Sequence, residues 1–177
     1  MKHSLVRLPN ELKPSKHSCR AVVETPKGSR WKMSYDPETG TFEASNLLPD
    51  GMSFPMDFGF VPSTRAEDGD PTDILILSEE PLPMGALVTV RLIGVIEGEQ
   101  TEADATIRND RLLGVAEGSH LFEAVQATSD LPDDFLKNIE RFWVNYNALK
   151  GRKFKVVGVR DAEEAAARVR ATAQEKG

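Results

Sequence analysis

The sequence predicts a mainly β fold with α (α+β): a small closed β-barrel with two helices packed against it. Three observations predict it. Short apolar runs recur at even spacing between explicit turn signals, the pattern of a barrel or sandwich. The hydrophobic period changes to a helical one in the second half. A helix-start signature then introduces a short alanine-rich tail segment.

Residues 1–18 are polar and interrupted by Pro9 and Pro14, and read as an N-terminal extension ahead of a single domain over 19–177. Strands are predicted at Arg20–Thr25, Trp31–Tyr35, Thr41–Ser45, Ile74–Leu77, Leu87–Glu97 and Arg111–Ala116. The punctuation between them is Pro26-Lys-Gly28, Pro37-Glu-Thr-Gly40, Pro49-Asp-Gly51 and Pro83-Met-Gly85. Thr41, Glu43 and Ser45 alternate with Phe42 and Ala44, as in a half-buried strand. Phe135, Leu136, Ile139, Phe142, Trp143 and Tyr146 fall at helical spacing, so Asp133 to Leu149 is read as an amphipathic helix. Ser129 or Asp130 is its expected cap, Pro132 fits the first turn, and Asp133 and Asp134 suit the positive end of the helix dipole. Asp161 with Glu164 forms a capping box for a second helix over Ala162–Gln174.

Composition narrows the function. At 177 residues and a net charge of −6, the chain fits one domain and lacks the basic surface that nucleic-acid binding requires. No apolar run approaches the roughly 18 residues that span a bilayer, and Met1-Lys-His-Ser4 opens no signal sequence. The single cysteine, Cys19, permits no internal disulfide and reads as an inert residue at a strand start. The expected setting is the cytoplasm, with no membrane partner.

The chemistry concentrates in Asp68-Gly-Asp-Pro-Thr-Asp-Ile74, which runs directly into the apolar Ile74-Leu-Ile-Leu77. Asp68, Asp70 and Asp73 crowd acceptor-only oxygens at the mouth of a buried strand. Ionised side by side they need a counter-charge, which hard divalent cations, Mg²⁺ above all, supply through oxygen ligands. Pro71 fixes φ and stiffens the loop. A solvated acidic turn is the plain alternative. A calcium EF-hand with Glu79 as its last ligand is excluded, because Asp73 occupies its glycine position and a strand follows where a helix should.

This segment resembles the Asp-x-Asp-Pro-x-Asp-x signature of soluble family I inorganic pyrophosphatases, departing at Thr72, whose slot is usually aliphatic. The resemblance runs from about Val22 to about Gly158. It includes Glu24-Thr-Pro-Lys-Gly-Ser-Arg-Trp-Lys32, Phe54-Pro-Met-Asp-Phe-Gly-Phe60, Arg91-Leu-Ile-Gly-Val95, Phe142-Trp-Val-Asn-Tyr146 and Lys153-Phe-Lys155. It implies an OB-like five-stranded closed β-barrel with two flanking helices, and Mg²⁺-dependent hydrolysis of pyrophosphate to two phosphates. It also implies a homo-oligomer, a hexamer or smaller.

By the same resemblance, Asp68, Asp70 and Asp73 hold the metals, Asp70 accepts the proton of the attacking water, and Glu24 supports a further metal through water. Lys32, Arg111 and Tyr146 contact phosphate, Arg111 standing where the family carries a lysine. Several positions depart. Asn46 and Asn147 replace basic residues, and Phe58 replaces a tyrosine. Two aspartates of the family's metal cluster fall on Gln100 and Asn109, leaving Glu99, Glu102, Asp104 or Asp110 as candidates to take over; Asp110 is carried forward as a metal ligand. His120 is expected at the surface, and Trp31, Trp143 and the phenylalanines in the core. Competing readings are a diverged phosphohydrolase of another phosphoanhydride and a non-catalytic metal- or phosphate-binding module.

Overall fold

The structure, a computed structural model, describes residues 4–174. Among these residues nine strands form: β1 (Ser18–Thr25), β2 (Trp31–Asp36), β3 (Thr41–Leu47), β4 (Asp57–Phe60), β5 (Asp73–Leu77), β6 (Leu87–Glu102), β7 (Ala105–Arg108), β8 (Arg111–Ala116) and β9 (Lys153–Arg160). Two helices, α1 (Phe135–Ala148) and α2 (Ala162–Thr172), flank β9 in sequence. Five strands close into a ring in the order β1-β4-β5-β8-β6 and back to β1. Every pairing in that ring is antiparallel except β5 with β8. This is the five-stranded closure expected.

The ring closes because β6 is long enough to serve two sheets. Its first half pairs with β1 and β8, and its second half runs on to pair with β7 and β9. Strands β2 and β3 form a separate hairpin. Close approach of β4 to β1 requires Gly59, where a Cβ would lie 1.9 Å from the Val22 carbonyl oxygen. Asp57, buried at the start of β4, accepts bonds from the backbone N–H groups of Lys27 and Leu82, tying two loops together.

Side-chain alternation divides the core in two. Leu75, Leu77, Leu113 and Val115 join Phe54, Ile139, Phe142, Trp143 and Tyr146 of the α1 side. Ile74, Ile76 and Leu112 face the other way, with Ala21, Val23, Val90, Leu92 and, from α2, Ala165, Ala166 and Val169. Strand β5 is therefore buried on both faces, which is why its sequence is continuously apolar. Cys19 is buried, and burial pushes its thiol up to about 12, so it is inert at neutral pH.

The six predicted strands and two helices are present, with ends shifted by a few residues. Strands β4, β7 and β9 were not predicted: β4 and β7 are only four residues long, and the apolar residues of β9 are interrupted by Lys153, Lys155, Gly158 and Arg160. Asp161 caps α2, accepting from Glu164 N–H at 2.9 Å. The expected cap of α1 is corrected: Asp130 instead accepts from Gln126 and Ala127 N–H and closes its own short turn, while Asp134 stands at the helix N-cap with no side-chain bond. Trp31 is also corrected. It is 47% exposed, because the β2–β3 hairpin stands off the ring and leaves its outer face in solvent. No helix among the described residues is long and apolar enough to cross a membrane.

Candidate active site

The acidic loop lies between β4 and β5 and is folded by its own backbone. Ala66 N–H donates to the Asp70 carbonyl, Gly69 N–H to the Ala66 carbonyl, and Asp70 N–H to the Asp68 carboxylate. Gly69 sits at φ +93°, a conformation that side chains resist, so the tight turn between Asp68 and Asp70 depends on it. The loop opens into a cleft of about 1290 Å³ lined by Asp68, Asp70 and Asp73 together with Glu24, Lys32, Arg111 and Tyr146. Residues read from four separate stretches of sequence thus share one cavity.

Strands β1 and β2 supply one wall. Lys32 Nζ lies 3.2 Å from Glu24 Oε2, donates to the Met33 carbonyl at 2.7 Å, and stands 4.3 Å from the centre of the Phe58 ring. Glu24 Oε1 in turn accepts from Tyr35 N–H at 2.7 Å. Both side chains are nearly buried, so the lysine is held at a fixed point of the wall. Phe58 therefore offers Lys32 a ring face in place of a hydroxyl. Asn46 pairs directly across the hairpin from Lys32.

Arg111 opens β8 and is the most enclosed cation of the cleft, 3% exposed. Its guanidinium lies 3.9 Å from the Trp143 ring centre and 4.6 Å from that of Phe154. Nη1 donates to the Asn109 carbonyl at 3.0 Å, while Nε is buried without a hydrogen-bond partner, 4.0 Å from Asp73 Oδ2. Tyr146 meets Phe54, Phe142 and Trp143 edge-on or stacked and also lines the cleft, so it has both a core and a site face. Asn147 lines the cleft as well, but its amide is turned back to the Trp143 carbonyl.

The end of β6 and the β7–β8 turn contribute Gln100 and Asn109, which face the cleft and bond to each other, Asn109 Nδ2 donating to Gln100 Oε1 at 3.0 Å. Asp110 does not join them. Its carboxylate is taken by Arg108, Arg168 and the Gly98 N–H, at 2.9, 2.9 and 3.1 Å. Glu97 shares that network with Arg108, Arg160 and Arg168. Burial alone would raise the Glu97 carboxyl, yet the hydrogen bond and charge of Arg160, with Arg108 and Arg168, carry it below the ordinary value. Of the four acids named as replacements, Glu102 alone lines the cleft, in an ion pair with Arg152. Glu79 lies elsewhere, binding Ser119 and the N–H groups of His120 and Leu121. His120 is exposed, as expected.

Sequence reading missed Lys150 and Arg152, which add positive charge to the cleft just beyond α1. Lys150 Nζ stands 4.8 Å from the Tyr146 ring centre. The basic run Lys150-Gly-Arg-Lys153 was the available signal.

The donor set fits a hard divalent cation. The Asp73 carboxyl is raised to about 7, first by burial; Arg111 and Lys32 oppose that rise, and Asp68 and Glu24 add to it. Such a carboxyl lacks counter-charge, and a cation would provide it. Among the described residues no three Asp, Glu, His or Cys side chains converge into a closed cage. Mg²⁺ needs none, because it keeps several waters and takes one or two carboxylates together with phosphate oxygens.

Comparisons with known proteins point to one family. The family model described as inorganic pyrophosphatase matches residues 21–176. The inorganic pyrophosphatase of Thermus thermophilus is 38% identical over 153 residues, 85% of each chain, and that of Geobacillus stearothermophilus 33% over 149 residues, 84% of this chain and 87% of that one. A crystal structure of the inorganic pyrophosphatase from Thermus thermophilus superposes with a TM-score of 0.86 at 35% identity, over 96% of each chain.

Proposed function

Because the chain belongs to the inorganic pyrophosphatase family and is an inorganic diphosphatase, we propose that it works with Mg²⁺ held by Asp68, Asp70 and Asp73, Glu24 assisting through water. The observation that carries this reading is one cleft with an acidic half, Asp68 to Asp73, facing a cationic half of Lys32, Arg111 and Arg152. Pyrophosphate brings dense negative charge, and phosphoryl transfer to water is chiefly a matter of neutralising and positioning it. The metal, when bound, supplies charge neutralisation and lowers the pKa of water.

The chain's own groups do the rest. Arg111 and Lys32 hold phosphate oxygens, Arg111 with a planar fork that suits two oxygens at once. Tyr146 donates its hydroxyl to the same group. Asp70 takes the proton as the water oxygen attacks phosphorus; the bridging P–O bond breaks and the second phosphate leaves. Asp110 has no part in this, since its carboxylate is engaged by two arginines and a backbone N–H.

We read residues 19–177 as one domain with 1–18 as its extension, working in the cytoplasm as a homo-oligomer, a hexamer or smaller. The exposed cross-strand pair Trp31 and Leu47 supports an assembly. The test of the function is phosphate release from pyrophosphate with Mg²⁺ and with EDTA, beside a panel of nucleotides. Release that needs Mg²⁺ and favours pyrophosphate is expected. A nucleotide cleaved faster than pyrophosphate, or turnover in EDTA, would overturn the reading.

A further inference from the structure

The acidic loop is held at its base by a helix distant in sequence. Thr72, which stands between Asp70 and Asp73, is buried at 4% exposure. Its Oγ1 donates to Thr172 Oγ1 at 2.9 Å, and Thr172 Oγ1 passes its own proton to the Arg168 carbonyl at 2.9 Å. A hydroxyl has one proton to give, so the second bond fixes the direction of the first. The Thr72 N–H is bound by Thr64 Oγ1 at 2.9 Å, which in turn donates to the Val61 carbonyl. Two backbone bonds complete the seam: Arg65 N–H to the Thr172 carbonyl at 2.8 Å, and Gln174 N–H to the Ser63 carbonyl at 2.9 Å. One turn earlier on α2, Arg168 grips Asp110 and Glu97 beside Asn109. The same helix thus anchors the loop and the strand edge opposite it.

We propose that Thr172 is a positioning residue for the carboxylate loop, acting through Thr72, so that divalent-ion affinity is set in part from α2. This rests on the reading of Asp68, Asp70 and Asp73 as metal ligands. The position at which the chain departs from the aliphatic signature is the one that bonds to the helix. Groups that orient metal ligands from behind typically contribute about 10- to 100-fold to affinity, and a buried hydroxyl stripped of its acceptor shifts to find another.

The experiment is Mn²⁺ binding to the full chain without pyrophosphate, followed by calorimetry and by the electron-spin signal of free Mn²⁺, with thermal unfolding in EDTA alongside. Thr172→Val and Thr72→Val should each weaken Mn²⁺ binding by about 10-fold, and Thr172→Ser should stay within about 2-fold of the parent protein, with melting little changed. Should Thr172→Val fail to fold, Thr72→Val and Thr172→Ser carry the test, since each retains most of the local packing. Parental affinity in Thr72→Val, or equal weakening in Thr172→Ser and Thr172→Val, would overturn the proposal. If the parent binds Mn²⁺ and Asp70→Asn abolishes it while both valine variants bind normally, the positioning role alone is wrong. If the parent binds no Mn²⁺ at all, the metal reading fails and takes this proposal with it.

Discussion

Two sets of carboxylates lie at neighbouring edges of the ring, and they have opposite fates. Glu97 and Asp110 are surrounded by Arg108, Arg160 and Arg168, and their charge is spent within the protein. Asp68 and Asp70 have no arginine or lysine salt-bridge partner among the described residues, and Asp73 has only Arg111, at 4.0 Å. Both sets are acidic and both are close to β8. The difference teaches that the arginines around an acid, more than the acid itself, decide whether it serves the scaffold or remains available to a cation.

The contrast can be broken most directly at Asp70. Asp70→Asn keeps the volume but removes the charge proposed to bind metal and to accept the proton. Turnover should fall by about 10²- to 10⁴-fold with melting unchanged. Steady-state phosphate release decides it, and activity within a few-fold of the parent would return Asp70 to the solvated surface.

Asp73 sharpens the contrast through pH. Its carboxyl stands at about 7 in the folded protein against an ordinary 3.8. The folded state therefore holds a proton that the unfolded chain has released, and this group's contribution to stability is greatest at low pH and is lost as pH rises through about 7. In EDTA, melting between about pH 5 and pH 8 should fall by several degrees more in the parent than in Asp73→Asn, and Mg²⁺ should reverse the fall at the upper end. Equal pH profiles for the two proteins would show that Asp73 is compensated within the fold.

The smallest effect is expected at the neutral pair. Gln100 and Asn109 line the cleft and bond to each other, and among the described residues neither side chain bonds to an arginine or lysine. Gln100→Asp and Asn109→Asp should each lower the Mg²⁺ concentration for half-maximal activity by about 3- to 10-fold, the scale of one added charged contact. A higher requirement would mean that Glu102 already fills the position and that the new acid repels it.

Much of this was legible in residues alone. Four of the five ring strands and both helices follow from period and punctuation, the four-residue β4 being the exception, and Asp161 caps α2 as its spacing dictates. The acidic loop could be read because its three aspartates sit within one short stretch. Three features could not. Strands β7 and β9 exist because β6 runs past the ring and offers an edge, a tertiary circumstance that propensity does not encode. Asp110 looked available because one of its two captors, Arg168, lies 58 residues away. Trp31 looked like core because nothing in its neighbourhood announces that its hairpin leaves the ring.

The setting of Arg111 between Trp143 and Phe154 has a consequence for recognition. A free surface arginine surrenders rotational freedom when it engages an anion, and a good part of the contact energy disappears into that loss. Here two aromatic faces have already restricted the guanidinium, and the Asn109 carbonyl fixes its rotation. Ordering was completed during folding, so a phosphate held there, as proposed, would meet a cation with little entropy left to lose. A lysine in the same slot would present three rotating donors on a flexible stem. The arginine makes this corner of the cleft a rigid point of positive charge.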